Sequence, residues 1–561
     1  MSKTTDLLRD AVTKSVRTGL ILGIVAVFVA LTGIIEDFNK LEVIGGVIGL
    51  GLTILLLISV ATGYVAVQGK GRRGYLGAGL MGAGAGLVTG GVLALLVLLI
   101  RNVNMRPVFV NATETLVALL TFEQSFGVGL LLLLTGGAIL GALGGILNQL
   151  PSRVRSSFLA GLAGVLLFGI LQELFAVILS SLGLPKGFIS FLFRRKGLSP
   201  AGALLLFVLF AGFTAVWPAA RPRLNRRLET LDSRPRTALR FVASIAGVTV
   251  LIFLPQLLKL YWTDVMDNVG LYILMGLGLN IVVGLAGLLD LGYVAFYAIG
   301  AYTVGVLTSP RVWLGAEWSF WPAWPVAFAM AAFAGIILGV PVLRMRGDYL
   351  AIVTLGFGEI IRVLALSDLL KPWIGGAQGI LEIPKPNVAG LTLLTSQHIY
   401  YVILAGCLLA VFISRRLKDS RVGRAWIAIR EDEDVAEAMG INLVKYKLMA
   451  FAIGALFAGM SGAIFASKLS SIYPHSFNLI ISINVLSLII VGGVASIPGV
   501  IVGALVLVGL PEVLRFAAEY RIMIYGAALV VMMLVRPEGF WPAARRRREL
   551  REEAEIAGGE R

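Results

Sequence analysis

Charged side chains that could act on a partner are concentrated in one stretch, REDEDVAEAMG at 430–440, which places six charges in eleven positions. The acidic run Glu431–Asp434 lies where the N-terminus of a helix favours negative charge. Either Asp432 or Asp434 could cap that helix by accepting hydrogen bonds from its first N–H groups. The stretch therefore predicts the start of a helix inside a polar segment.

The rest of this stretch predicts a short amphipathic helix. Val435 and Met439 are four residues apart and so lie on one helix face. Gly440 is suited to the C-terminal end, where a left-handed backbone is common. A helix of this kind could dock in a groove of a soluble partner, or it could be a solvated connection. The residues alone leave both interpretations open.

Four polar residues lie within or beside apolar segments: Asn280, Asp290, Glu359 and Arg362. Polar residues inside a membrane are costly and are candidates for a transport path by default. Glu359 and Arg362 are three residues apart, so they could instead simply pair with each other. Asp290 could instead fix the turn before Gly292.

Glycine is frequent, at 67 of 561 residues. The series Gly82-Gly86-Gly90 and Gly137-Gly141-Gly145 predict two close-packed helix faces, because small residues let helix backbones approach. A further group, in the later half, could serve close packing or mark a broken helix that lines a path. Its members are Gly276, Gly278, Gly284 and Gly287.

Patterns for covalent chemistry are missing from the sequence. The single cysteine, Cys407, excludes an internal disulfide and a cysteine-based metal site. His398 and His475 lie far apart and lack the spacing of metal ligands. There is no phosphate-binding loop and no nucleophile elbow. We therefore expect a chain that is not an enzyme and has no metal or cofactor of its own.

The composition predicts an all-α polytopic integral membrane protein. Hydrophobic residues make up 58% of the chain and charged residues 14%, whereas soluble domains have about 25% charged residues. The apolar runs are continuous rather than alternating, which indicates helices rather than a barrel. The net charge of +16 is explained by basic cytoplasmic loops, so we expect no nucleic-acid partner.

The apolar runs predict about sixteen membrane spans. About six of these fall in 1–220, an N-terminal membrane extension, and about ten fall in 241–541. The basic segment 221–240 is predicted to be a cytoplasmic linker, and 542–561 a charged cytoplasmic tail. The longest loop of the second half, 415–447, contains the charged stretch described above.

Charge distribution predicts that the N- and C-termini are both cytoplasmic, because the basic loops then alternate onto that side. One loop disagrees: 185–197 has four positive charges and would lie outside. It is either an interfacial amphipathic helix or a sign that the spans of the first half are miscounted.

Residues Gly423–Asn442, GRAWIAIREDEDVAEAMGIN, resemble the cytoplasmic coupling loop of ABC-importer permeases, specifically the LivM-type permeases of branched-chain amino-acid importers. Further blocks similar to this family follow its order, at 276–303, 344–364, 374–380, 474–504 and 536–541. The resemblance covers about 241–541. Residues 1–240 match much less well, and the role of this extension is open.

The resemblance implies a permease subunit for leucine, isoleucine and valine in the plasma (inner) membrane of a prokaryote. The implied partners are a second homologous permease, two ABC ATPase subunits that hold ATP and Mg, and an extracytoplasmic amino-acid-binding protein. The residues expected to couple to the ATPase are Gly423, Arg424, Arg430, Glu431, Asp432, Val435, Glu437, Ala438, Met439 and Gly440. The two arginines would meet acidic groups on the ATPase, and Val435 and Met439 would supply apolar contact.

Two alternatives remain at this point. Related permeases carry urea, short amides or other amino acids, so the substrate could differ. A secondary transporter driven by an ion gradient is the competing class, although it has no reason to have a docking helix at 430–440.

Overall fold

The computed structural model describes residues 2–68, 74–194, 196–229, 233–312, 317–342, 345, 347–388, 390–513 and 521–543. Nearly all of the predicted tail 542–561 lies outside these residues, as do the side chains of the predicted linker 221–240. Within them the chain forms two compact units, one reaching to Ala246 and the other starting at Gly247. The finer division into extension, linker and permease domain stays a prediction.

The first unit consists of helices and one small sheet. Its helices are α1 (Ser2–Leu31), α2 (Ile34–Phe38), α3 (Leu50–Val67), α4 (Tyr75–Asn102), α5 (Glu114–Leu120), α6 (Phe126–Gln149), α7 (Ser152–Ile170), α8 (Gln172–Ser181), α9 (Lys186–Leu192) and α10 (Pro200–Glu229). Its strands are β1 (Glu42–Ile44), β2 (Ile48–Gly49), β3 (Phe193–Arg194) and β4 (Gly197–Leu198), in the order β2-β1-β4-β3.

Glycines bring α4 and α6 into backbone contact, which confirms the two predicted packing faces. A Cβ at Gly86 would lie 2.0 Å from the carbonyl oxygen of Gly137, and one at Gly141 would lie 2.2 Å from that of Gly82. Such distances leave no room for a larger residue. The glycine periodicity in the sequence is therefore a packing feature.

The small sheet joins two loops that are far apart in sequence. Strand β1 follows α2, strand β4 follows α9, and they pair in parallel through Ile44 and Leu198. The two loops therefore lie at the same end of this unit, as the predicted alternation of spans requires. The basic loop 185–197 contains the short helix α9.

The second unit holds the remaining elements. Its helices are α11 (Ser233–Leu279, which begins before the unit boundary), α12 (Val294–Thr308), α13 (Phe320–Val342), α14 (Asp348–Leu366), α15 (Lys371–Ile374), α16 (Ser396–Asp419), α17 (Arg421–Glu431), α18 (Glu433–Ala438), α19 (Leu443–Leu469), α20 (Leu479–Gly492), α21 (Ile497–Val513) and α22 (Arg521–Val535). A π-helix covers Asn280–Leu285, and single 3₁₀ turns cover Gly376–Gln378 and Pro474–Ser476. Short antiparallel pairs join β5 (Ile380–Leu381) to β8 (Ser471–Ile472) and β6 (Asn387–Val388) to β7 (Leu391–Thr392).

Helix α19 lies in the core of the second unit, against α12 and α13. A Cβ at Gly300 of α12 would lie 2.2 Å from the carbonyl oxygen of Gly459, and one at Gly462 would lie 2.0 Å from that of Tyr297. Backbone contact at this distance packs α19 closely against α12 and α13.

The two predicted spans near 241–258 and 268–289 lie on two helical stretches that meet at a kink within α11. Helix α11 contains Pro255 and leaves helical geometry at Lys259, where φ is 58° and ψ is 176°. Proline removes a backbone donor and frees a carbonyl group. The carbonyl group that Pro255 frees is that of Leu251, four residues earlier, and the hydroxyl of Tyr400 donates to it at 3.1 Å.

The described residues contain twelve helices that are long and apolar enough to cross a membrane, which supports the predicted helical, multi-pass fold. The predicted count of about sixteen is not confirmed. Four further apolar helices have only 10–17 residues, namely Gln172–Ser181, Val294–Thr308, Ile497–Glu512 and Tyr525–Leu534.

Candidate functional site

The charged loop between α16 and α19 forms two helices, where the sequence predicted one. Helix α17 is capped by Ser420, whose Oγ accepts hydrogen bonds from Val422 N at 3.1 Å and Gly423 N at 3.3 Å. A Cβ at Gly423 would lie 2.3 Å from the carbonyl oxygen of Leu417. Gly423 therefore allows α17 to turn tightly against the end of α16.

Trp426 anchors α17 in the core of the second unit. Its side chain is fully buried, and its Nε1 donates to the carbonyl oxygen of Tyr446 at 2.8 Å. Sequence reasoning missed this residue. The signal in the sequence was the spacing of Trp426 and Ile429, which are three positions apart and both buried. This spacing indicates a buried face on α17.

Asp432 separates the two helices and caps α18. Its Oδ1 accepts hydrogen bonds from Asp434 N and Val435 N, both at 3.0 Å. Of the two predicted capping residues the structure selects Asp432. Glu431 differs from the expectation, because it ends α17 instead of lying at the N-terminus of the predicted amphipathic helix.

Helix α18 ends at a left-handed glycine. Gly440 has a φ of +83°. Its N–H donates to the carbonyl oxygen of Glu437 at 2.9 Å, and Ile441 N donates to that of Ala436 at 3.0 Å. This pair of bonds defines a Schellman motif. A Cβ at Gly440 would meet nothing within 4 Å, so glycine is required here by the backbone conformation alone.

The outer face of α18 is apolar and uncovered. Val435 is 57% exposed and Met439 is 79% exposed, whereas Ala436 between them is buried against the chain. Glu437 and Ala438 are also exposed. The helix therefore presents a small apolar surface beside carboxylates, held at both ends by its caps.

A buried ion pair attaches α18 to the start of α19. Lys447 Nζ contacts Glu433 Oε1, and the lysine side chain is almost fully buried. Neither residue was predicted from the sequence. A lysine next to the long apolar run of α19 was the signal that could have pointed to it, since a buried ammonium group needs an anionic partner.

Arg430 makes a contact within the chain that the sequence did not predict. Its Nη1 donates to the carbonyl oxygen of Gly284 at 2.5 Å. Gly287, at φ +75°, leaves space for this arginine, because a Cβ there would lie 2.8 Å from Arg430 Cγ. Arg424 is exposed and bonds the carbonyl oxygen of Asp419 at 3.1 Å. Arg430 thus links the charged loop to the π-helix.

The π-helix is stabilised by Asn280. This side chain is buried, and its Oδ1 accepts a hydrogen bond from Ala495 N at 2.9 Å. A Cβ at Gly284 would lie 2.3 Å from the same Oδ1. π-Helical turns are rare and occur frequently at functional sites. Asn280, Gly284 and Gly287 therefore belong to a broken helix beside the charged loop.

The other two glycines of that group serve close packing. A Cβ at Gly276 would lie 2.8 Å from Val500 Cγ1, and one at Gly278 would lie 2.1 Å from the hydroxyl oxygen of Tyr293. Close packing is therefore observed at Gly276 and Gly278, and that Gly284 and Gly287 line a path stays a prediction.

Lys418, which the sequence did not single out, completes the junction. Its Nζ donates to the carbonyl oxygen of Ala495 at 2.7 Å. Ala495 therefore joins the end of α16 to Asn280, because its N–H and its carbonyl group bond to different partners. The segment before α21 is therefore hydrogen-bonded both to α16, the helix that precedes the charged loop, and to the π-helix.

Asp290 lies in the turn between the π-helix and α12. Its side chain is fully buried, and Oδ1 accepts a hydrogen bond from Gly292 N at 2.9 Å. The next N–H, of Leu291, is bonded to Thr354 Oγ1 at 3.0 Å. These contacts match the turn-fixing interpretation of Asp290.

Glu359 and Arg362 pair with each other on α14, as their spacing suggested. Arg362 Nη2 and Nε both lie 2.8 Å from Glu359 Oε2, and both side chains are about one-third exposed. Among the described residues, no hydrogen bond or ion pair joins this pair to the junction around Asn280. No group of three His, Cys, Asp or Glu side chains in the described part of the chain could hold a metal ion.

Comparison with known proteins gives a consistent assignment for the second unit. The model of the family described as "Branched-chain amino acid transport system / permease component" matches residues 261–535. The LivM permease of the high-affinity branched-chain amino acid transport system of Escherichia coli K12 is 40% identical over 324 residues, which cover 54% of this chain and 75% of the relative.

Two relatives from Salmonella typhimurium LT2 extend this likeness. Its LivM permease is 42% identical over 305 residues, covering 50% of this chain and 70% of the relative. Its LivH permease, of the same transport system, is 25% identical over 287 residues, covering 48% of this chain and 90% of the relative. No solved structure matches this chain.

Proposed function

Because this chain belongs to the family of branched-chain amino acid transport permeases, of LivM type, we propose that it is the membrane-spanning subunit of an ATP-driven importer for leucine, isoleucine and valine. The observation that carries the proposal is identity of 40–42% to two LivM permeases, over at least 70% of each. The matched residues contain the capped helices α17 and α18.

Helix α18 is the element proposed to dock on the ATPase subunits. Its exposed Val435 and Met439 form an apolar surface that an ATPase cleft would cover, and Glu437 and Arg424 lie exposed nearby in sequence. An amphipathic helix in a groove is a common recognition mode. Two ATPase subunits would bind ATP and Mg, and this chain would have no ATPase site of its own.

Coupling inside the chain would run from α18 to the π-helix. The buried Lys447–Glu433 pair makes α18 move with α19, and Arg430 joins α17 to the carbonyl group of Gly284. ATP-driven closure of the ATPase pair would shift these elements and change the side on which the path is open. Asn280, Gly284 and Gly287 are the residues that we place beside this path.

The remaining parts of the importer are also proposals. The likeness to LivH permeases supports a second, homologous permease as the partner within the membrane. An extracytoplasmic binding protein would deliver the amino acid. The complex would lie in the lipid of a prokaryotic inner membrane, with both termini of this chain in the cytoplasm.

The deciding experiment is uptake of labelled leucine into proteoliposomes that hold this chain, the second permease, the ATPases and the binding protein. ATP is supplied on the ATPase side, and valine, urea and glutamate compete in turn. We expect uptake that requires ATP and is inhibited by valine alone. Inhibition by urea or glutamate would change the substrate class. Uptake driven by an ion gradient without ATP would favour a secondary transporter.

A further inference from the structure

Helix α19 has a buried lysine near each of its ends. Lys447 lies near the first end and Lys468 near the last, 21 positions later, or about 31 Å along a helix. Lys447 is paired with the docking helix, as described above. Lys468 is 7% exposed and lies in a separate cluster with Asp264 and Asp267 of α11.

The ammonium group of Lys468 is within reach of two carboxylates that differ in environment. Its Nζ lies 2.9 Å from Asp264 Oδ1, which is the distance of a strong charge-assisted hydrogen bond. It lies 3.7 Å from Asp267 Oδ2, which is too long for a hydrogen bond. Asn268 Oδ1 accepts a second bond from the ammonium group at 3.0 Å.

The carboxylates of Asp264 and Asp267 differ in exposure and in the hydrogen bonds that they accept. The side chain of Asp264 is 47% exposed, and its Oδ1 also accepts a hydrogen bond from Ser396 Oγ at 3.1 Å. Asp267 is fully buried, and in the described part of the chain neither of its carboxylate oxygens accepts a hydrogen bond. A buried carboxylate without hydrogen bonds is costly, so Asp267, which has an ion-pair contact with Lys468 at 3.7 Å, is an unused hydrogen-bond acceptor one helical turn from the used one.

We propose that Lys468 changes its hydrogen-bond partner between Asp264 and Asp267 during transport. Helix α19 would couple this exchange at one of its ends to the docking helix at the other. The proposal rests on the function proposed above. The exchange needs the ammonium group to move by about 1 Å toward Asp267 to reach hydrogen-bond distance. Helix shifts of about 1–2 Å are a common form of conformational switching.

The end of α19 is linked directly to loops at the same end of the unit. Three residues after Lys468 the chain enters β8 (Ser471–Ile472), which pairs with β5 (Ile380–Leu381). Ser309 Oγ then bonds the carbonyl oxygen of Leu381 at 2.6 Å. These bonds therefore connect the loops to the end of α19 that carries Lys468, and α19 connects Lys468 to Lys447 and the docking helix.

The test compares two matched variants, Asp264→Asn and Asp267→Asn, in the fully assembled complex. Asp267→Asn removes the charge of the alternative partner and favours the arrangement seen here, whereas Asp264→Asn favours the other arrangement. We expect the ratio of ATPase activity with loaded binding protein to activity without it to shift in opposite directions, each by about fivefold. Asp368→Asn, which removes an exposed carboxylate 4.0 Å from Lys371, is the control and leaves the ratio unchanged.

Lys468→Met should abolish the stimulation by loaded binding protein, and Lys468→Arg should retain it. Lys468→Met leaves Asp267 buried without a counter-ion, so this variant could fail to assemble. The double variant Asp267→Asn/Lys468→Met removes both charges and replaces it in that case. If the ATPase ratio shifts in the same direction in both aspartate variants, or in neither, the exchange is wrong. The proposed function would still stand in that case, provided that uptake by the wild type requires ATP. Wild-type uptake that does not require ATP would overturn both the exchange and the proposed function.

Discussion

Arg430 donates a hydrogen bond of 2.5 Å to the carbonyl oxygen of Gly284, which lies 146 residues earlier in the chain. The donor is in the charged loop and the acceptor is in a π-helix that continues from α11. One contact therefore joins the loop that contains the proposed docking helix α18 to the π-helix proposed to lie beside the path. We expect a movement of α17 to act on the π-helix through this contact.

Replacing Arg430 by Met should separate docking from transport. The variant loses a hydrogen bond from a charged donor, worth about 1.5–3 kcal/mol, at the junction with Gly284. We expect the ATPase to co-purify normally while leucine uptake per ATP hydrolysed falls about tenfold. Arg424→Met is the contrast, since Arg424 is exposed and is proposed to contact the ATPase. If Arg430→Met loses the ATPase and Arg424→Met keeps it, the two roles are reversed.

Replacing Gly440 by Val should distort the end of α18. The backbone there has a φ of +83°, and a left-handed conformation costs a residue with a side chain about 1–2 kcal/mol. We expect reduced uptake with normal insertion. Gly390→Val is the control, because Gly390 has a φ of +89° and equally open surroundings in another loop. Equal loss of uptake in both variants would show a general folding effect.

Replacing Met439 by Asp should weaken binding of the ATPase, because it places a charge on the apolar surface that the ATPase is proposed to cover. The measurement is the amount of ATPase retained during purification in detergent. Val444→Asp, at an equally apolar exposed position at the start of α19, is the matched control and should retain the ATPase. Glu437→Lys should reduce transport in the same way as Met439→Asp, and full transport by both would contradict the docking role of α18.

Replacing Lys447 by Met should destabilise the protein more than removing both members of its ion pair. The single variant removes an ammonium group that is almost fully buried against Glu433, and breaking a buried pair costs about 3–5 kcal/mol. The double variant Glu433→Gln/Lys447→Met removes both charges and should recover most of this loss. Thermal unfolding of the purified complex measures the difference. A double variant as unstable as the single one would mean that packing, not charge, holds α18 to α19.

Replacing Asp290 by Asn should preserve transport, because the remaining side-chain oxygen can still accept the hydrogen bond from Gly292 N. Asp290→Ala removes the acceptor and should lower both stability and uptake, at a cost of about 1–3 kcal/mol for the unsatisfied N–H. Uptake assays with both variants distinguish the turn from a charge in the path. Loss of uptake in a stable Asp290→Asn protein would restore the path interpretation.

Local patterns determined a large part of this protein. The continuous apolar runs specify membrane helices, because the bilayer requires every backbone group to be bonded within its own segment. The glycine series specify the α4–α6 contact, and Asp432 and Gly440 specify the ends of α18, because caps depend on residues a few positions apart. The pairing of Glu359 with Arg362 follows from their spacing on one helix.

Only the tertiary structure decided which distant residues meet. The sequence placed Arg430 in a docking loop, yet its acceptor at Gly284 and the partner of Lys418 at Ala495, 77 residues away, depend on how whole helices pack. The same holds for Lys468 between Asp264 and Asp267. A charged side chain in a membrane protein must find a partner, but the sequence carries no periodicity that identifies a partner on another helix. That choice is made when the helices come together.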